Sequence, residues 1–572
     1  MKKFVGVVAA LSLATGGAAL ASGAQAAPVL AGGTSRTGAS AAGTANLSAS
    51  RAGSSDLNAS ATSSTAFTPK PIKWVKCPAS TGLVGDYAAQ CGWLTVPLDY
   101  AHPKGTMIKL RVSRIKHTTS AKKYQGVMLV NPGGPGGSGL SLSVLGRYVP
   151  KKAGYAYDWI GFDPRGVGAS KPSLACDAKY VTYNRPSYIP TTTTLETTWL
   201  QRTKAYAAAC HKAGGKLLDH VKTTDTVQDM DSLRKALGRK QINFYGFSYG
   251  SYLGQVYSTK YPTRVRRMVL DGVVDPRQVW YKANLDQDVA FERVMKVYFA
   301  WVAKYDSVYH LGSTEAAVET AFYAAQTKLG QTPGGGKIGA DEWNDVFLDA
   351  GYSVYSWEEL TTVFAAYVND GDWKPVKELF DDSNPQTKGS DNGYAMYLAT
   401  QCTDVTWPKT WSTWRQDNDA TYAQAPFLTW SNAWFNAPCI NWAGKAGTPV
   451  VVNGKKAPAI LLINETLDGA TPYSGALEVR KRYPKSVLVE GVGGTTHAGS
   501  LYGVACTDNT IASYLSTGKL PKRVAGNTSD KKCAPNPQPN PTVTGLAAAG
   551  NLSTAAANPL SRSALQQLVG KP

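Results

Sequence analysis

The sequence predicts an α/β fold, a largely parallel sheet with helical crossovers that is split by a mainly helical insertion. Three observations carry this. Short apolar runs at 127–130, 157–162, 242–245 and 267–271 alternate with helix-like stretches such as 226–237, the pattern of buried parallel strands joined by right-handed crossovers. Gly246-Phe247-Ser248-Tyr249-Gly250 stands between one of these strands and a helix-like stretch from Ser251, which places a serine on a sharp strand-to-helix turn. Residues 277–456 are rich in Trp, Tyr and Ala with helical periodicity, as at 286–304 and 314–329.

In chain order, Lys2 and Lys3, an apolar stretch from Phe4 to about Leu20, and Ala24-Gln25-Ala26 predict a secretory signal peptide at 1–26. Residues 27–68 are Ala, Ser, Gly and Thr with hardly an aromatic, and are expected to be a disordered leader or propeptide. The first part of the core runs over 69–276, beginning with an antiparallel-looking lead-in at 91–97 and 108–116. The helical insertion at 277–456 is expected to form a lid whose aromatic stripe mainly builds its own core. The second part of the core, 457–533, supplies strands at 459–464 and 486–490. The tail, 534–572, alternates Pro, Asn and Ala and reads as flexible, with at most a short helix at 561–569.

Export makes the eight cysteines legible. Their clustering predicts pairing of neighbours: Cys77–Cys91, Cys176–Cys210, Cys402–Cys439 and Cys506–Cys533. Neither a C-x-x-C nor an H-x-x-x-H cluster exists, so neither a metal nor another cofactor is expected. No segment after the leader reaches the roughly 20 apolar residues of a membrane span, and no membrane insertion is expected. The formal net charge is +20. Its lysines and arginines are scattered without a nucleic-acid signature, so the reading is a solvated surface with loose affinity for an anionic cell wall. A monomer is expected.

The chemistry lies in four places. Ser248 is the expected nucleophile. Asn131-Pro132-Gly133-Gly134-Pro135-Gly136-Gly137, after the strand at 127–130, can aim backbone N–H groups at a developing oxyanion. Its rival reading, a phosphate loop, lacks the G-K-[ST] ending of such motifs. The N–H groups of Gly134 and Tyr249 are the expected oxyanion donors. Downstream, Asp468 stands in the turn after a late strand, with Glu465, Asp271 and Asp275 as rival acids. His497 lies in a loop of small residues after the last strand. The other histidines of the six, His102, His117, His211, His220 and His310, follow no matching strand end. A serine hydroxyl is a poor nucleophile at neutral pH, so His497 would take and return its proton while Asp468 holds the imidazole. The order Ser, Asp, His is that of an α/β-hydrolase triad.

The glycine loop at 131–137, Asp163-Pro164-Arg165-Gly166-Val167-Gly168, the 246–250 turn, Asp468-Gly469-Ala470-Thr471-Pro472 and the His497 loop together resemble secreted tripeptidyl aminopeptidases. These are α/β-hydrolases of the prolyl-aminopeptidase type with a TAP-like C-terminal region, and the resemblance covers about 70–535. Related proline iminopeptidases commonly carry a histidine where this chain has Pro132. The resemblance implies cleavage of short peptides, most simply tripeptides, from free N-termini of peptides or secreted proproteins. An exopeptidase also needs a carboxylate for the substrate ammonium, and Glu358, Glu359 and Asp404 are the lid-side candidates. The Asp163/Arg165 turn is expected to brace the site floor. A prolyl aminopeptidase, or an esterase or lipase with the same triad, is the alternative; a non-enzymatic wall module would need none of these groups.

Overall fold

The computed structural model describes residues 67–541 apart from 82, 84–87 and 388. The signal peptide expected at 1–26, nearly all of the leader expected at 27–68 and the terminal helix expected at 561–569 lie outside the described residues.

Ten strands form one sheet: β1 (Val75–Lys76), β2 (Gln90–Pro97), β3 (Met107–Ile115), β4 (Val127–Asn131), β5 (Asp158–Phe162), β6 (Ile242–Phe247), β7 (Val265–Asp271), β8 (Leu461–Glu465), β9 (Val487–Gly491) and β10 (Lys531–Cys533). Their order is β1-β2-β3-β5-β4-β6-β7-β8-β9-β10. The lead-in β1–β3 is antiparallel and joins β5 antiparallel; from β5 to β10 the sheet is parallel. Every residue of β4, β5, β6, β8 and β9 is buried, which is why these strands read as unbroken apolar runs rather than alternating ones. Helices Thr223–Ala236 and Tyr249–Lys260 flank β6 in sequence, and Tyr473–Arg482 links β8 to β9. This is the α/β-hydrolase fold.

Between β7 and β8 the chain runs through a series of helices from Tyr281–Lys304 to Thr429–Asn436. Their shared interior is aromatic: Phe322, Trp343, Phe347 and Phe364 contact one another with ring centroids 4.5–5.8 Å apart. The Trp/Tyr/Phe periodicity therefore builds the core of this insertion. Disulfides join Cys77–Cys91, Cys176–Cys210, Cys402–Cys439 and Cys506–Cys533. Each closes a loop of 14 to 37 residues, worth about 3 kcal/mol of chain entropy in the simplest account.

Past Cys533 the described residues stay against the body. The Trp301 indole donates to Pro539 O at 3.0 Å and Tyr305 OH to Asn540 at 3.0 Å, so residues 534–541 lie along the insertion. Their Pro/Asn composition resembles a linker because the bonds that hold them are all long-range.

Candidate active site

Ser248 stands between β6 and the helix Tyr249–Lys260 with φ 54° and ψ −126°. A non-glycine residue is held there only when its surroundings over-determine it. Ser248 N donates to Asp271 O at 2.9 Å and Ser248 O accepts from Ser251 N at 2.7 Å, so the turn is pinned at both its ends. The Tyr249 N–H opens the helix and has no intrahelical acceptor. The Tyr249 side chain turns inward, its hydroxyl 2.8 Å from Thr223 Oγ1.

The glycine loop lies directly against this turn. A methyl group on Gly133, whose φ is +103°, would sit 2.6 Å from Phe247 O and 2.8 Å from Ser248 Cβ. Only a bare Cα permits that approach. Asn131 Oδ1 accepts from Gly133 N at 3.0 Å. Behind the loop, the buried Asp163 carboxylate accepts from Ser138 Oγ at 2.6 Å, Gly139 N at 3.2 Å and Ala169 N at 2.8 Å. Arg165 is buried too, in a two-pronged pair with Asp229 at 2.7 Å for each bond. The Asp163/Arg165 turn is thus a brace.

On the opposite side, His497 Nδ1 donates to Asp468, 2.9 Å from either carboxylate oxygen. Asp468 is buried and also accepts from Ala470 N at 2.9 Å, Thr471 N at 2.8 Å and Thr471 Oγ1 at 2.8 Å. Burial pulls the His497 imidazole down, but the Asp468 charge and hydrogen bond outweigh it and leave the pKa above its ordinary 6.5. Gly272, φ +63°, makes room for the ring: a Cβ there would stand 2.8 Å from His497 Cε1. Since Gly272 follows the Asp271 that holds Ser248, the serine turn and the imidazole are brought to one end of β7.

The rival acids have other partners. Asp275 pairs with Arg277 at 2.6 Å. Asp271 accepts from Ser500 N at 2.9 Å, and burial pushes it up to about 6. Glu465 accepts from Thr496 N at 2.6 Å and from Asn536 N and Nδ2 at 2.7 and 2.9 Å; burial pushes it up to about 7. Both hold the backbone of the histidine loop. The insertion holds it as well, with Tyr352 O accepting from His497 N at 2.8 Å. Tyr352, Asn536 and Gly272 are absent from the sequence reading. Only the Asp-Gly at the end of β7 carries a local signal.

Residues 126–336 match the α/β hydrolase fold family, and residues 425–533 the TAP-like protein family. The tripeptidyl aminopeptidase of Streptomyces lividans is 39% identical over 482 residues, covering 82% of this chain and 88% of that protein. This chain belongs to the tripeptidyl aminopeptidase family. Serine protease Hip1 of Mycobacterium tuberculosis is 28% identical over 485 residues, covering 79% of this chain and 90% of that protein. Carboxylesterase B of the same species is 29% identical over 465 residues, covering 78% and 86%. Membership of the tripeptidyl aminopeptidase family, with the hydrolase fold, makes the chain a serine hydrolase.

The three lid-side carboxylates named for a tripeptidyl aminopeptidase occupy unlike places. Glu358 and Glu359 sit in the first turn of the helix Trp357–Asp370, half-buried and exposed. Among the described residues, neither side chain bonds to the serine turn, the glycine loop or the histidine loop. Asp404 is buried behind Tyr249 and accepts from Thr223 N and Oγ1, both at 2.6 Å, and from Trp280 Nε1 at 3.1 Å; burial pushes it up to about 6. Its acceptor capacity is largely used. Asp288, not singled out from the sequence, is 1% exposed and accepts one described bond, from Asn432 Nδ2 at 2.8 Å. Its helix, Tyr281–Lys304, reaches the acid turn through Gln287, which donates to Ala470 O at 2.6 Å. No helix among the described residues is long and apolar enough to cross a membrane.

Proposed function

We propose that this protein is a secreted serine exopeptidase that releases tripeptides from free N-termini through an acyl-enzyme. Ser248 Oγ would attack the scissile carbonyl while His497 Nε2 takes its proton. The Tyr249 and Gly134 N–H groups would bind the oxyanion, and His497 would then protonate the departing amine. A water activated by the same imidazole completes the turnover. The observation that carries this reading is a strained serine at a helix start, bonded to Asp271, beside the Gly272 against which an imidazole held by a buried aspartate packs. Four disulfides support export. The 277–456 segment would act as the lid that closes the cleft.

For the substrate ammonium the same reading favours Asp288 over Glu358, Glu359 and Asp404. It is a buried carboxylate with acceptor capacity to spare, and no described cation pairs with it. Burial raises its pKa well above the ordinary carboxylate range, which an arriving ammonium would reverse.

Mass spectrometry of a mixed peptide pool, free and N-acetylated, tests the reading. Serine-dependent tripeptides from free N-termini alone are expected, with Asp288→Asn cutting kcat/KM at least about tenfold. Release of single residues would move the reading to a prolyl-type aminopeptidase, and no peptide cleavage to an esterase.

A further inference from the structure

A cavity lies near the edge of the sheet, outside the serine and histidine turns. It is open to solvent, with a volume of about 790 Å³ between β2, β3 and the loops that follow β4 and β5, and its lining includes Trp93, Arg111, Lys171, Ser138, Ser141 and Ser173. Trp93 and Arg111 are register partners on neighbouring strands, which stacks the guanidinium 4.8 Å from the indole centroid. The Lys171 ammonium lies over the same ring at 5.8 Å. Backbone bonds in both directions between Lys109 and Lys171, 2.9 and 2.7 Å, fix Lys171 beside β3.

Arg111 is 7% exposed, yet its guanidinium makes no hydrogen bond or ion pair with any described residue. Its nitrogens face the open cavity rather than a protein acceptor, which leaves them free to pair with an anion there. The carboxylate that faces the same cavity, Asp163, is already occupied by Ser138, Gly139 and Ala169. Asp163 acts on Arg111 through its charge but spends its hydrogen bonds on Ser138, Gly139 and Ala169, so the guanidinium and the Lys171 ammonium keep their own donors for the cavity.

We propose that this cavity binds a phosphate group, with Arg111 supplying the paired N–H donors, Lys171 the second charge and the Ser141 and Ser173 hydroxyls the remaining hydrogen bonds. Planar guanidinium matches a tetrahedral oxyanion through two parallel bonds, and the serines suit either free phosphate or a phosphate carried on a polyol. The cavity borders the glycine loop through Ser138, but the proposal does not depend on the peptidase reading.

Calorimetric titration of the full-length secreted protein with inorganic phosphate and with glycerol 3-phosphate tests it, in wild type, Arg111→Gln, Lys171→Gln and Lys122→Gln. Saturable binding that weakens at least about tenfold in Arg111→Gln and Lys171→Gln, and is unchanged in Lys122→Gln, is expected. Equal affinity for the two probes identifies free phosphate as the ligand, and tighter binding of glycerol 3-phosphate a phosphorylated polyol. Lys171 is exposed at the surface, so its variant remains informative if Arg111→Gln fails to fold. No binding of either probe, or an equal loss in Lys122→Gln, overturns the proposal and leaves only the net charge of the chain.

Discussion

The two halves of the site are held in different ways. The serine side is a local construction: β6, a five-residue turn, one helix and the glycine loop after β4, which touches it through Gly133. The histidine side is assembled from afar. His497 rests on Asp468 twenty-nine residues upstream, on Tyr352 from the insertion, and on a loop braced by Glu465 and Asn536. The serine turn is thus fixed by the sheet itself, whereas the imidazole depends on the insertion and on the strand-end segment past Cys533. Damage to remote parts should therefore reach the reaction through the histidine.

The largest break in this comparison is Asp468→Asn. It should leave the fold intact and lower kcat by about 10⁴, because the imidazole is then held in the wrong tautomer; steady-state kinetics and circular dichroism check both parts. On the serine side, Gly133→Ala forces a Cβ within 2.6 Å of Phe247 O at a positive φ. Displacement of the loop should cost about 10²–10³ in kcat, the loss typical of one oxyanion donor, with little change in KM.

Asn536→Ala sharpens the contrast, since it removes a side-chain donor to Glu465 and one to Gly499 O from outside both core halves. A loss of about 1–3 kcal/mol in stability is expected for these buried bonds, read as a lower Tm, together with a fall in kcat. A variant with normal kcat would show that the histidine loop stands without this strap. The smallest effect is the pH profile. His497 must be neutral to act as base and its pKa is raised, so kcat/KM should rise with pH through a midpoint above 6.5. A midpoint below 6.5 would mean that burial outweighs the Asp468 charge.

What the sequence revealed follows the same division. The serine turn, the glycine loop, Asp468 and the buried strands are contiguous patterns with a fixed relation to the backbone, and each was legible from local residues. The insertion was legible too, because its apolar stripe repeats at helical spacing. Tyr352, Asn536 and Asp288 were not. Tyr352 acts through a carbonyl, which every residue has. Asn536 stands in a Pro/Asn stretch whose composition points away from structure. Asp288 is one acid among many until its burial and lack of a cation are seen. The first-turn acids Glu358 and Glu359 drew notice by composition alone, and their helix turns them toward the aromatic interior of the insertion at Tyr309 or toward solvent.

The most direct test of the account is covalent labelling with a fluorophosphonate followed by intact-mass measurement and peptide mapping. One adduct per chain, mapped to Ser248, absent from Ser248→Ala and markedly slowed in His497→Ala, is the predicted result. An adduct on another residue, or undiminished labelling of Ser248→Ala, would contradict the assignment of the nucleophile and the mechanism built on it.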